Sequence, residues 1–406
     1  MSYGIIDRYF DNDVLTIEIE RYIVTMLLGL LCSSLFFNGS SVVFWTINML
    51  GYVAFLGNNN RVIKKSIVFL SVFYILFTGI IPVIIHSSYM KLTLKSVGTS
   101  IGLIVVPLHF ALITNLKEFG GLEPKNIKSI FNLLSVIGDI LFLFSILMGA
   151  SDYLRFLTGN LSAYSVNVAG LLKNKNMYGA LLGISAYCDL FLTKTDSKPT
   201  WRMGLFVIKA IGVAFSFSRA ALLYFGIVVI LYLWQERKHF RFEWVFFVLG
   251  VILLIFFFVR NDYLQRLVYQ QILRLDVGDA GRAFGRYSSI KKLGDNLLAY
   301  IFGVGYFGID YLGIDIDNSY YYVFFSGGIV KCLIYIFWII YSFQHILYLR
   351  HTSLLYAHMC FAVAVAYLVY AIFESVPLFE LGILNFINML FMYIIPCSLE
   401  DRTEVE

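Results

Sequence analysis

RNDYLQRLVYQQILRLDVGDAGRAFGRYSSIKKLGDNLLAYIFGVGYFGIDYLGIDIDN, residues 260–318, is the one long polar stretch in a chain that otherwise runs from one apolar segment to the next. Seven Lys/Arg and seven Asp/Glu fall in it. That is about a quarter of all the charge in about a seventh of the length. The 406 residues are 59% hydrophobic and 14% charged, with a mean hydropathy of +0.78. A soluble chain of that length needs far more polar surface, so the sequence reads as an all-α polytopic membrane protein.

A spanning helix takes ~20 mostly apolar residues. On that ruler about twelve spans fit into a single transmembrane domain over residues 1–406. They lie near 22–37, 40–57, 66–85, 97–114, 130–150, 177–193, 201–217, 219–235, 243–259, 319–345, 354–373 and 378–396. The net charge of +5 is mild. It implies no nucleic-acid partner, and basic loops against anionic membrane lipid account for it. The five cysteines lie in or beside apolar runs, so no disulfide framework is expected. None of the six histidines falls in 260–318, which argues against a histidine-rich metal site there. Asp7, Asp11, Asp13, Glu18 and Glu20 precede the first apolar run. A cleaved signal peptide starts basic, so that run is read as a retained span.

Lys and Arg in the short loops set the orientation. With the N-terminus inside, the cytoplasmic loops carry Arg61, Lys64 and Lys65, then Lys117, Lys125 and Lys128, then Lys194, Lys198 and Arg202, then Arg237, Lys238 and Arg241. Lys91 and Lys95 run against the trend without reversing it. Both termini are then cytoplasmic. Residues 260–318 form a large extracytoplasmic loop, and 151–176 a smaller one on the same side. Within the large loop, Leu264, Leu267, Val268, Ile272 and Leu275 recur at helical spacing, which predicts an amphipathic surface helix. A second helix is expected over Phe284–Leu298, ended by Gly303, Gly305, Gly308 and Gly313.

The candidate chemistry lies at that outer side. Arg219 begins a strongly apolar span; it is either functional or snorkels to the headgroups. Arg282 sits among glycines that let backbone approach a ligand, or is a solvated loop charge. Asp317 lies at the rim of a span, where a carboxylate can act as a general base. Its neighbours Asn318 and Ser319 suit a helix N-cap, which leaves Asp317 freer for chemistry. Asn176 begins another span and invites the same cap reading, with Lys173 and Lys175 beside it. Gly303, Gly305 and Gly308 match GxGxxG but without a βαβ unit, so no dinucleotide site is expected. Asp315 and Asp317 imitate the start of a calcium loop, but Tyr320 stands where its glycine belongs. The same pair suggests a metal-binding nucleotide-sugar transferase, but nucleotide sugars are cytosolic and this loop faces out.

Three segments together resemble the O-antigen polymerase and O-antigen ligase superfamily. LLKNKNMYGALLG is similar to its Asn-rich entry to a span. SFSRAALLYFGIVVI resembles its Ser-Arg-small-small motif. FGVGYFG followed by DNSYYYVFFSGGIV resembles its Gly-x-Gly, polar-Asn, aromatic, Gly-Gly segment. The resemblance covers about residues 151–330. It implies a glycosyltransferase in the cytoplasmic membrane of a bacterium, working in lipopolysaccharide or related polysaccharide biosynthesis. Donor and acceptor would be glycans on undecaprenyl diphosphate, with a chain-length regulator as an expected further partner. Ligases of the superfamily typically carry histidine before the third motif's asparagine, and Asp317 stands there, so the polymerase is favoured. Under that reading Arg219 and Arg282 stabilise the leaving diphosphate without a metal or other cofactor, and Arg286 or Lys173 assists. Asp317 takes the acceptor's proton. Asn176, Asn318 and Tyr320 line the substrate, with tyrosine rings stacking on sugars. The alternatives are the ligase, which transfers polymer to lipid A-core, and a flippase or other transporter. Transport ranks third because only Asp139, Lys209, Lys331 and a few other ionisable residues enter the spans.

Overall fold

The structure is a computed structural model. It describes residues 23–35, 76–85, 122–158, 168–172, 174–195, 199–236, 290–294, 296–305, 308–309, 312–313, 316, 318–376, 378 and 382–400. In chain order the elements are α1 (Ile23–Leu35), a π-helical turn Leu76–Ile80 running into α2 (Ile81–Ile85), α3 (Pro124–Leu157), a 3-10 turn Gly170–Leu172, α4 (Lys175–Thr195), α5 (Pro199–Ala214), α6 (Arg219–Glu236), α7 (Leu297–Phe302), α8 (Ser319–Thr352), α9 (Leu354–Phe373), α10 (Ile383–Met389), a π-helical segment Leu390–Ile394 and α11 (Ile395–Glu400). No strand occurs among the described residues. Among the described residues four helices, α3, α6, α8 and α9, are long and apolar enough to cross a membrane. The spans expected at 40–57, 97–114 and 243–259, and the surface helix expected around Leu264–Leu275, lie outside the described residues.

The chain divides into two compact units. The middle unit comprises residues 131–281 with 365–370, and the flanking unit comprises 1–130, 282–364 and 371–406. In the middle unit small residues set the packing. Gly138 on α3 faces Ser185 on α4, and Gly212 on α5 faces Leu182 and Phe142. Gly179 on α4 faces Ser216 and Ala221, and Gly183 faces Phe225 on α6. Farther along, the Tyr187 and Tyr232 rings meet edge to face at 5.2 Å. The pairs 179–221, 183–225 and 187–232 advance together, so α4 and α6 run parallel, side by side. The pairs 131–191 and 138–185 run oppositely, so α3 is antiparallel to α4. Hydrocarbon gives helices no hydrophobic reason to associate, so close approach of backbones over Gly, Ala and Ser is the means available.

In the flanking unit α8 is not one rod. Gly328 has φ +63° and ψ −160° and interrupts the helix. Fifteen residues of unbroken α-helix rise about 22 Å, yet the rings of Tyr320 and Tyr335 are 6.2 Å apart. The segment before the break therefore folds back sharply as a short arm. Its start is fastened to the end of α9. Asn318 Nδ2 donates to the Ile372 carbonyl at 2.7 Å, and Ser319 Oγ to the Glu374 carbonyl at 2.6 Å. At the break itself, the Val304 N–H donates to the Phe325 carbonyl at 2.7 Å. Gly303 lies so close to Gly327 and Gly328 that a side chain on any of the three collides with backbone or with Lys331. Of the first glycine pair, Gly305 faces Pro82 and Val83, while Gly303 thus meets the second pair. Leu293, Ala299, Val304 and Ile309 pack with Phe325 around it.

The helix expected continuously over Phe284–Leu298 is not continuous. Gly294 has φ +59°, and Asn296 caps a new helix that begins at Leu297. A left-handed glycine followed by a capping residue stops one helix and starts the next. On α8 the exposed large apolar side chains start at Ile329 and reach Leu347, a rise of about 27 Å, close to the ~30 Å of bilayer hydrocarbon. On α3 they run from Val136 to Leu154, the same length.

Gly328→Ala is expected to lower stability by more than about 1 kcal/mol, because alanine resists this φ and its Cβ meets the Ile301 carbonyl. Gly226→Ala, in the α6 interior with open space around it, is expected to gain about 0.5–1 kcal/mol. Thermal unfolding of the two purified variants in detergent checks both signs.

Candidate functional site

The first two motifs start the parallel helices α4 and α6, and the fold brings those starts to one end of the middle unit. At α4 the cap is Asn174, two residues earlier than expected. Its Oδ1 accepts the N–H groups of Asn176 at 2.9 Å and Met177 at 3.1 Å. Asn176 is inside the first turn. At α6 the Ser218 hydroxyl accepts the Ala221 N–H at 3.2 Å, and Arg219 is the first helical residue. Both helices therefore begin with a cation, Lys175 and Arg219, and neither has an acid in its first turn. Helix starts carry partial positive charge and favour anions. Two such starts with two cations make this end attractive to a phosphate.

The turn that delivers Arg219 is built from Phe215–Ser218. Ser216 Oγ donates back to the Val213 carbonyl at 2.7 Å and closes α5. Phe217 follows with φ +53°, the single positive φ at a non-glycine among the described residues. Its ring meets Phe156 of α3 at 4.6 Å and Phe215 at 6.1 Å. Tyr153 of α3 completes the cluster against Phe215.

In the flanking unit Asn318 caps α8. Its Oδ1 accepts the Tyr321 N–H at 3.0 Å while its Nδ2 holds Ile372. Both ends of the amide are engaged within the protein. Tyr320, half-buried, lies edge-on to Tyr335. Asp317, Arg282, Arg286 and Lys173 lie outside the described residues.

At the opposite end of α4 the middle unit holds an ionic network that the hydropathy pattern passed over. Lys209 of α5 is 1% exposed and lies 2.5 Å from Asp189 Oδ2 and 2.9 Å from Asp139 Oδ1. It also donates to the Ser135 carbonyl at 2.9 Å. Asp189 is 0% exposed. Its Oδ1 accepts from Ser135 Oγ at 2.7 Å and from Arg202 at 3.1 Å. Arg202 also donates to Asn132. Two carboxylates and two cations thus tie α3, α4 and α5 together. Asp139, Lys209 and Arg202 were visible as charges in or beside spans. Asp189 was the missing partner, and the signal for it was an acid and a lysine of opposite sign in consecutive apolar runs. No family model, curated protein or solved structure matches the chain.

Removing one partner of a buried pair leaves an uncompensated charge. Asp189→Asn is therefore expected to cost about 3–5 kcal/mol. Asp139→Asn removes a carboxylate that is 40% exposed and is expected to cost less than about 1 kcal/mol. Equal melting temperatures for the two variants in detergent would contradict this ranking.

Proposed function

We propose that the protein is a membrane glycosyltransferase that joins undecaprenyl-diphosphate-linked repeat units into a surface polysaccharide at the outer face of a bacterial cytoplasmic membrane. The observation that most supports this reading is the pair of helix starts at α4 and α6. Two motifs some forty residues apart meet at one end of one unit, and together they offer a cationic seat for a diphosphate. About twelve spans, cytoplasmic termini and the large loop at 260–318 outside complete the proposed arrangement.

In the proposed reaction an acceptor hydroxyl attacks C1 of the donor glycan. The C1–O bond to the diphosphate breaks, and undecaprenyl diphosphate leaves with that oxygen and the bonding pair. Asp317 receives the hydroxyl proton as general base. Arg219 and Arg282 match the oxygens of the leaving group bidentately, with Arg286 or Lys173 assisting. Arginine stays charged throughout, so the negative charge that grows on the leaving group is met at any working pH. Holding two lipid-linked glycans in line supplies the rest through orientation. Lys209 and Asp189 are the observation that favours transport of lipid-linked glycan instead. A chain-extension assay on substrate already at the outer face separates the two readings, because a transporter extends nothing.

The deciding experiment is a gel of surface polysaccharide from a null strain complemented with wild type, Asp317→Asn, Asp315→Asn or Arg219→Lys. Wild type is expected to restore the ladder. Asp317→Asn and Arg219→Lys are expected to collapse it to single repeats, and Asp315→Asn to keep it. Polymer trapped on undecaprenyl diphosphate in the null indicates a ligase. An unchanged ladder in the null rejects the family reading.

A further inference from the structure

The turn between α5 and α6 poses a question that helix chemistry alone does not answer. The residue after a helix that adopts left-handed backbone is usually glycine, because a Cβ is strained there. In this chain the left-handed residue is Phe217, three residues beyond the end of α5, with φ +53°. For a bulky residue such a φ is a true outlier, and outliers of this kind gather where geometry serves function. The ring explains what the strain retains. It is seated edge to face on Phe156 of α3 at 4.6 Å, with Phe215 on its other side at 6.1 Å. Phe156 is buried and packs with Val168 and Tyr153 into one small apolar cluster. Glycine would relax the backbone and give up this seat. Two residues later the chain presents Arg219.

We propose that Phe217 is the positioning residue for Arg219. The strained backbone points the chain into α6, and the ring locks that turn against α3, so the guanidinium enters the site from one fixed place. This rests on the proposed role of Arg219 on a lipid-linked diphosphate. Phe217 itself touches no reacting atom. Its neighbours make the assignment specific. Ser216 closes α5 and Ser218 opens α6 through their own hydroxyls, and Phe217 contributes only its backbone N–H, to the Ala214 carbonyl at 3.4 Å, so its side chain makes none of the turn's hydrogen bonds. What the phenylalanine adds is orientation relative to α3.

The test separates orientation from stability. Phe217→Gly relieves the backbone, so the purified variant is expected to melt no lower than Phe217→Ala, which keeps the strain and loses the ring. Both are assayed for chain extension on undecaprenyl-diphosphate-linked repeats purified from the null strain. Phe217→Gly is expected to lose between ~10- and ~100-fold in kcat with KM little changed, and Phe217→Tyr to restore most of it. A second readout does not depend on the reaction. With Arg219→Cys, labelling of position 219 by a membrane-impermeant maleimide is expected to change several-fold when Phe217→Gly is added. Wild-type kcat together with unchanged labelling in Phe217→Gly overturns the proposal. If the wild-type protein extends no chains, the polymerase reading fails, and the labelling alone decides whether Phe217 positions residue 219. If Phe217→Gly does not accumulate, Phe156→Leu removes the ring's seat with Phe217 in place, and the same two outcomes are read from it.

Discussion

A polypeptide in hydrocarbon has to satisfy its own backbone, because no water is present to do so. The break in α8 shows what this demands. Gly328 interrupts the ladder of N–H to carbonyl bonds, and the Phe325 carbonyl is taken up by the N–H of Val304, twenty-one residues earlier in the chain. That bond needs backbone against backbone, and only glycine at 303, 327 and 328 leaves the space. The break also falls where the exposed apolar stripe begins, at Ile329. Interrupted backbone is thus kept to the margin of the apolar band and covered by protein. The arm that results carries Asn318 at its start, and the bonds to Ile372 and Glu374 hold that start to the end of α9.

The same scarcity of water governs the charges of the middle unit. Burying a carboxylate and an ammonium is costly, and their attraction offsets the cost only with good geometry and filled hydrogen bonds. Asp189 has both oxygens engaged, by Ser135, Arg202 and Lys209. Small residues let helices approach closely but leave their sliding register loosely set. A network that joins three helices through directional bonds sets it firmly, because a shift of one turn separates every partner. The energetic gain over an apolar core of the same shape is small or negative, so specificity is the better account of its presence.

Much of this was legible in the sequence. The helical class follows from composition, and the four long apolar helices fall on expected spans because hydropathy over ~20 residues is a local property. A cap at Asn318 or Ser319 was readable too, since both residue types are local N-cap signals, and the structure gives it to Asn318. The misreadings are non-local or degenerate. Asn174 and Asn176 flank a lysine within two residues, and the letters do not say which one caps. The break in α8 was hidden because glycine pairs are common in spanning helices, and it takes Gly303 to turn this pair into a joint. Asp189 was hidden because one acid barely moves the average of an apolar run, and its partners lie on other helices. Phe217 was invisible for a related reason. Its left-handed φ accompanies a seat on Phe156, sixty-one residues away.

The starts of α4 and α6 combine these lessons. Helix physics disfavours a cation in the first turn, where the peptide dipoles already sum to positive charge. Lys175 and Arg219 both stand there, on helices that lie side by side. Each cation adds to the positive end of its helix dipole, and an anion is favourable against both. An anion placed against both starts reverses each of these terms at once, and more so the drier the surroundings. A neutral sugar reverses none of them. Under the proposed function, the charge pattern favours the phosphate end of a lipid-linked glycan over its sugar end at these helix starts.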